Sequence, residues 1–187
     1  MVARGMRGQL VTDDERRLVA SAQNGDRAAL AAILKSHEHD LYVSALTILG
    51  SSWDAQDAVQ DTLYEACAKL RSLRDPAKFA AWLSRILVRK CYDRLRRRGP
   101  ERDVEDFREA GAHAFVGTER DDAVLQAVAI LPDEQRLAIV LRFFLDLSYA
   151  DIEATTGWPS GTVKSRINRG LAQLRKMLSE RSLDRDL

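Results

Sequence analysis

The sequence predicts an all-α protein made of two small helical domains joined by a flexible linker. Three observations carry this prediction. The 187 residues are rich in Ala, Leu, Arg, Asp and Glu, with 6% aromatic residues and 4 prolines, a composition that favours helices over sheets. Apolar residues recur every three or four positions through most of the chain. Between the two periodic blocks lies Gly99 to Arg120, which has no sustained periodicity and sets six acids against three arginines. The expected boundaries are 12–98 for the first unit, 99–120 for the acidic linker and 121–180 for the second unit.

The elements follow in order from start and stop signals. Thr12 with Glu15 forms a capping-box pattern, and Asn24-Gly25 supplies the stop of a short first helix. Asp26 is placed to cap the second helix, whose apolar residues Leu30, Ile33, Leu34, Leu41, Ala45 and Ile48 run to Gly50. A third helix is expected from about Asp54 to Leu70, burying Val59, Leu63, Cys67 and Leu70 and leaving Asp54, Asp57, Asp61 and Glu65 as a separate acidic stripe. Asp75-Pro76 reads as a cap followed by proline in the first turn. The fourth helix then passes through Phe79, Trp82, Leu83, Ile86 and Leu87 to Leu95 and is closed by Gly99-Pro100. The connector of about 22 residues reaches ~75 Å if fully extended, so the flanking units can sit about two duplex turns apart. Beyond it come helices from about Asp121 to Leu131 and from Pro132 to Leu147. A short helix follows, opened by the capping box Ser148 to Asp151 and ended by Gly157. A last helix, from about Ser160, keeps Val163, Ile167, Leu171, Leu174 and Leu178 on one face.

Lys and Arg number 29 against 28 for Asp and Glu, so the information lies in their distribution. Lys78 to Arg98 holds eight basic residues and one acid, and Ser160 to Lys176 holds five basic residues and none. Two basic blocks flank an acidic connector. Cys67 and Cys91 have neither ligand spacing nor a close partner, and both read as small thiols packed in a helical core. Arg142 interrupts the longest apolar run, Leu137 to Leu145, and Met1 to Val11 lacks an apolar signal core. No membrane insertion and a cytoplasmic location are expected.

Three constellations bear on function. The helices Ser148 to Thr156 and Ser160 to Leu178, joined by Gly-Trp-Pro, form a helix-turn-helix pattern. Its outward face carries Thr162, Lys164, Ser165, Arg166, Asn168 and Arg169, residue types that bond base edges and hold phosphates. The alternative is a helical hairpin with a solvated basic face. In the second constellation, the helix Asp75 to Arg98 combines Phe79, Trp82 and Tyr92 with Arg85, Arg89, Lys90, Arg94, Arg96, Arg97 and Arg98. Aromatic faces stack on unpaired bases while a basic groove tracks a single strand. Packing of Phe79 and Trp82 in the core is the competing explanation. The third is the acidic stripe with Asp57, Gln60 and Asp61; it is either a solvated face or, since it repels DNA, a surface for a basic protein.

These residues resemble a known family. Asp54-Ala-Gln-Asp-Ala-Val-Gln-Asp-Thr-Leu-Tyr, Phe79-Ala-Ala-Trp-Leu-Ser-Arg-Ile, Asp93-Arg-Leu-Arg-Arg-Arg, Leu147-Ser-Tyr-Ala-Asp-Ile and Gly161-Thr-Val-Lys-Ser-Arg are similar, in order and spacing, to extracytoplasmic-function sigma factors of the sigma-70 family. The resemblance covers about Thr12 to Leu178. It implies a promoter-specificity subunit, with sigma region 2 in the first unit and sigma region 4 in the second, both held to core RNA polymerase. On this basis Asp57, Gln60, Asp61 and Tyr64 meet a coiled coil of the polymerase's largest subunit. Arg71, Arg74 and Lys78 lie in or beside the loop for a flipped base of the minus-ten element, while Trp82, Arg85, Arg89, Lys90, Arg94, Arg96 and Arg97 support recognition and melting there. Thr162 to Arg169 read the minus-thirty-five element. An anti-sigma partner is implied by the resemblance alone. Arg89 and Lys90 replace an asparagine and an apolar residue common in the family, Asn168 replaces an aromatic or histidine, and Gly170 costs the last helix ~1 kcal/mol against alanine.

Two rival classes define the alternatives. A free-standing helix-turn-helix regulator normally adds a dimerisation or ligand domain, whereas here the other unit carries the basic aromatic helix and the acidic stripe. A metal-dependent bundle enzyme would draw on Asp57, Asp61, Glu65 and the His37-Glu38-His39-Asp40 cluster. It requires Glu-x-x-His pairs on facing helices, which the sequence lacks, and His37 and His39 are expected to splay apart on a solvated surface. The reading therefore needs no catalytic residue, metal, cofactor or small-molecule substrate.

Overall fold

The computed structural model describes residues 13–98 and 119–183, and every regular element among them is helical. The first unit comprises α1 (Asp13–Gln23), α2 (Arg27–Leu49), α3 (Ser52–Lys69) and α4 (Phe79–Arg98), with 3-10 turns at Leu70–Ser72 and Pro76–Lys78 between the last two. The second comprises α5 (Glu119–Ile130), α6 (Asp133–Ile139), a π-helical turn at Val140–Phe144, α7 (Tyr149–Thr156) and α8 (Ser160–Leu183). Thr12, the Gly99-Pro100 stop and the connector to residue 118 lie outside the described residues.

Most boundaries follow the local signals. The Asp26 carboxylate accepts from the Ala28 and Ala29 amides at the start of α2, and Gly50 ends that helix in the left-handed region at φ 68°. Asp75 caps the Pro76 turn through the Ala77 amide, and the Ser148–Asp151 capping box closes reciprocally at the start of α7. One helix is shorter than its apolar pattern. The run expected to reach Leu147 leaves α-geometry at Val140, where the Leu145 amide donates to the Val140 carbonyl, and Asp146 takes a left-handed φ of 49°. That turn re-aims the chain into α7.

Burial corrects the expected places of Cys67 and His37 and bears out that of Cys91. On α3 the inward stripe is Ala55, Ala58, Val59, Thr62 and Ala66, and Cys67 is exposed. Alanines let α3 approach α2 and α4 closely, which rotates the heavier Cys67 outward. Cys91 is fully buried, and desolvation pushes its thiol up to about 12. His37 is buried as well: its Nε2 lies 3.1 Å from Glu15 Oε1, and its ring meets Phe79 edge-on at 5.4 Å. An imidazole with a carboxylate partner from α1 can enter the core, which a single-helix view does not anticipate. His39 faces solvent as expected.

The two units touch in this structure. Their buried residues form one continuous cluster, with α5, α6 and the π turn against α2, and α7 against α4. The last two turns of α2, Val43 to Leu49, are buried throughout, as befits a helix packed on every side. The Arg136 guanidinium, 3% exposed, pins the junction. Its Nε donates to the Ile48 carbonyl at 3.1 Å, its Nη1 to Ala129 and Leu131 at 2.9 and 3.0 Å, and its Nη2 pairs with Asp133.

Gly170 has a packing reason for its place in α8. A Cβ there would lie 2.8 Å from Ile139 Cγ1 of α6. Gly170→Val should therefore destabilise the fold by about 2 kcal/mol in urea unfolding, whereas Gly161→Ala, with nothing within 4 Å, should stay within about 0.5 kcal/mol. Thiol labelling of the native chain at pH 8 should modify Cys67 rapidly and Cys91 only after denaturation.

Candidate nucleic-acid interface

The acidic and basic rows of the first unit face each other. Arg94 Nη2 on α4 donates to Asp57 Oδ2 at 2.6 Å and to Asp61 Oδ2 at 2.8 Å on α3. Arg94 is mostly covered, its side chain 15% exposed, while the two carboxylates stay open to solvent. Burial works against its charge, but the hydrogen bonds and charges of Asp61 and Asp57 prevail and raise its pKa. One turn along α3, Glu65 takes Lys90 at 2.7 Å and Lys69 at 2.9 Å, with Arg89 at 3.8 Å. Hydrogen bonds from Lys90 and then Lys69 hold the Glu65 carboxyl at about 2. The acidic stripe is thus partly neutralised by the helix expected to follow single-stranded DNA.

The remaining face of α3 is open. Gln60 and Tyr64 lie on the exposed side with Asp57 and Asp61, Tyr64 being 80% exposed. Trp53, 83% exposed, falls on the same side, eleven residues or about three turns before Tyr64. It escaped the sequence reading because α3 was expected to begin at Asp54, whereas Ser51 caps it through the Asp54 amide and places Trp53 in the first turn. An open cleft of about 560 Å³ adjoins this face between α2 and α3, lined by Lys35, Glu38, His39, Tyr42, Gln56, Val59 and Gln60. Two exposed aromatics framing a polar row form a surface suited to a protein partner.

Around the turn into α4, Arg71, Arg74 and Lys78 are exposed, with Lys78 Nζ 4.0 Å from Asp75. Gln23 of α1 fixes this turn by donating to the Leu70 and Leu73 carbonyls at 3.0 and 2.6 Å. On α4, Phe79 is core, as the competing explanation had it, and Trp82 lies half-buried against it with ring centroids 5.9 Å apart. Arg85, Arg89, Arg96 and Arg97 are exposed. Arg85 pairs with Asp151 of α7, and Arg96 sits over the Tyr92 ring at 5.9 Å.

In the helix-turn-helix, Val163 and Ile167 are buried, so Lys164, Asn168 and Arg169 project outward and Thr162 and Ser165 are half-buried. Arg166 is not on the open face. Its guanidinium lies 3.9 Å from the Trp158 ring centroid and pairs with Glu134 at 2.5 Å, leaving 17% of the side chain exposed. Trp158, in the turn, also donates from Nε1 to the Tyr92 hydroxyl of α4 at 3.3 Å. Asp151, whose carboxyl burial would raise, is held below the usual carboxylate range by Ser148 and Arg85.

The sequence matches the sigma-70 region 2 family over residues 33–101 and the sigma-70 region 4 family over residues 121–174. It is 30% identical over 179 residues to the ECF RNA polymerase sigma factor SigW of Bacillus subtilis, covering 87% of this chain and 95% of the relative. It is 37% identical over 163 residues to SigM of Mycobacterium tuberculosis, covering 86% and 83%. Among solved structures it resembles CnrH in complex with the cytosolic domain of CnrY, at TM-score 0.61 and 28% identity over 90% of this chain and 99% of the other. It also resembles the sigma factor RpoE of Bartonella quintana in complex with the anti-sigma factor NepR, at TM-score 0.58 and 30% identity over 82% and 96%.

The Glu65 cluster predicts a pH dependence. A folded pKa lowered from 4.5 to about 2 contributes stability that is complete above about 4.5 and lost as pH falls towards 2. Denaturation of Glu65→Gln should therefore show a smaller loss of stability than the native chain across that window.

Proposed function

The chain belongs to the extracytoplasmic-function group of sigma-70 RNA polymerase sigma factors, and from that premise we propose how its two units divide the work of promoter recognition. A sigma factor is a promoter-specificity subunit and not a catalyst, so the polymerase carries out all of the chemistry. We assign polymerase binding and the minus-ten element to the first unit, residues 12–98, a connecting role to 99–120, and the minus-thirty-five element to the second unit, 121–180. The observation that carries this division is the outward face of α8, where Lys164, Asn168 and Arg169 project from a helix seated on its own core.

The chemistry of each face suits its role. Arg169 and Asn168 can bond guanine and adenine edges, and Lys164 can hold a phosphate. Arg71, Arg74, Lys78, Arg85, Arg89, Arg96 and Arg97 offer a basic track for a separated strand, with the half-buried Trp82 beside it. The α3 face of Asp57, Gln60, Asp61 and Tyr64, extended here to Trp53, would repel DNA and suits a basic coiled coil of the polymerase. A chain of near-zero net charge can use weak DNA readers because the polymerase raises their effective concentration at a promoter.

One solved relative is described in complex with the anti-sigma factor NepR, and another with the cytosolic domain of CnrY. We extend that relationship to this chain as an anti-sigma partner. Among the described residues no helix is long and apolar enough to cross a membrane, which fits residence in the cytoplasm beside the polymerase.

Separable variants test the division. Replacing Lys164, Asn168 and Arg169 by alanine should abolish promoter selection in run-off transcription while leaving affinity for core polymerase within about twofold. Tyr64→Ala with Trp53→Ala should weaken polymerase binding by at least about tenfold, the effect of a single aromatic anchor, with an unchanged thermal transition. The reverse pattern would exchange the faces.

A further inference from the structure

Gln23, the last residue of α1, commits its side chain to the loop between α3 and α4. Its Nε2 donates to the Leu70 carbonyl at 3.0 Å and to the Leu73 carbonyl at 2.6 Å, partners 47 and 50 residues further along the chain. Both partners are acceptors, so the nitrogen and not the oxygen of the side chain faces the loop, and the two hydrogens of the amide are both used. Gln23 therefore has no donor left for a base or a phosphate. Any influence it has on DNA passes through the loop it holds.

The two bonds fix different things. The Leu70 carbonyl also accepts from the Leu73 amide at 3.1 Å, so the 3-10 turn at Leu70–Ser72 closes without Gln23. The Leu73 carbonyl has Gln23 as its one partner among the described residues. In a planar trans peptide the carbonyl and the following N–H point in opposite directions. Drawing the Leu73 carbonyl in towards α1 thus turns the Arg74 N–H outward, where it has no partner among the described residues. Leu73 is buried while Arg71, Arg74 and Lys78 are exposed, so the outer side of the loop sets a free backbone donor among cations. Backbone amides and basic side chains together hold nucleic-acid backbones in register.

The brace is itself anchored. Val19 of α1 is fully buried, and Glu15 meets His37 of α2 at 3.1 Å. Just past Gln23 the chain turns at Gly25, φ 101°, and Ser21 Oγ donates to the Asp26 carboxylate at 2.9 Å. A loop held in one arrangement before DNA arrives binds at a lower ordering cost and rejects a base that fits only another arrangement.

We propose that Gln23 is a positioning residue for minus-ten selectivity, an inference that rests on the assignment of this loop to the minus-ten element. Without contacting DNA, it fixes the Leu73–Arg74 peptide so that the Arg74 amide and the loop's basic side chains meet the separated strand in a single arrangement. Loss of the brace frees that peptide to turn, and several base fits become equivalent.

The test is transcription by core polymerase and the full chain from a template library randomised at both upstream elements, each template carrying a transcribed barcode. Gln23→Met keeps the length of the side chain and removes both donors. It should lower the preference for the favoured base at the minus-ten positions facing the loop by at least about fivefold, the effect of one lost hydrogen bond. Minus-thirty-five preferences should stay within about twofold, because no contact there is altered. Gln23→Lys returns a donor and should bring the minus-ten preference back to within about twofold of native, since its added charge attracts all templates alike. A purely structural role would lower every template's yield together and leave the preferences unchanged. Unchanged minus-ten preferences in Gln23→Met, an equal loss at both elements, silence on every template, or no recovery with Gln23→Lys would each overturn the proposal. Alanine at Arg71, Arg74 and Lys78 together separates the two readings. If this variant relaxes the minus-ten preference and Gln23→Met does not, the positioning role fails alone; if neither does, the assignment of the loop fails with it.

Discussion

A buried guanidinium at the ends of two helices fixes the arrangement of this chain. Arg136 spends its donors on the carbonyls of Ile48, Ala129 and Leu131 and on the Asp133 carboxylate. The carbonyls in the last turn of a helix have no partner within it and carry partial negative charge, so a cation there meets both needs. Removing it would leave those carbonyls buried without a donor, and breaking a buried charged cluster costs about 3–5 kcal/mol. Through Arg136 the end of α2 sets where α6 lies. Ile139 of α6 then sets how closely α8 approaches, through the bare backbone of Gly170. The face that α8 offers to DNA thus depends on a contact between two residues 88 apart in the chain, neither of them on α8.

The second organising feature is charge held in reserve. A chain with 29 basic and 28 acidic residues need not be electrically featureless, because its charges are sorted into rows. Asp57, Asp61 and Glu65 on α3 are matched to Arg94 and Lys90 on α4. The acids proposed to meet polymerase and the bases proposed to meet DNA are therefore partners of each other. A basic surface arriving at Asp57 and Asp61 competes with Arg94, so binding on one face changes the charge available on the other. Such coupling is reciprocal by thermodynamic necessity.

Much of the fold is legible in the sequence because its signals are local. Asp26, Gly50, Asp75, the Ser148 to Asp151 box and Gly157 act within one helical turn, and each acts where its sequence context places it. The family resemblance was legible for the same reason, since its motifs are short and ordered. What escaped depends on neighbours distant in sequence. The α3 core face is an alanine stripe chosen by close packing, so Cys67 turns out to water. His37 enters the core because Glu15 is there to meet it. Arg166 sits on the expected helix, yet Trp158 and Glu134 draw it from the open face. The contact between the units had one sequence signal, the stretch from Leu41 to Trp53 without a charged residue, which is longer than one buried face requires.

The central claim is that this chain directs polymerase to promoters by reading two elements with two units. The most direct measurement is transcription of fragmented genomic DNA from the source organism by core polymerase, with and without the chain, with every RNA start mapped. The account predicts new starts that appear only with the chain and share two upstream sequence elements at constant spacing. No new starts from folded protein and active core, or new starts without a shared pair of elements, would contradict it.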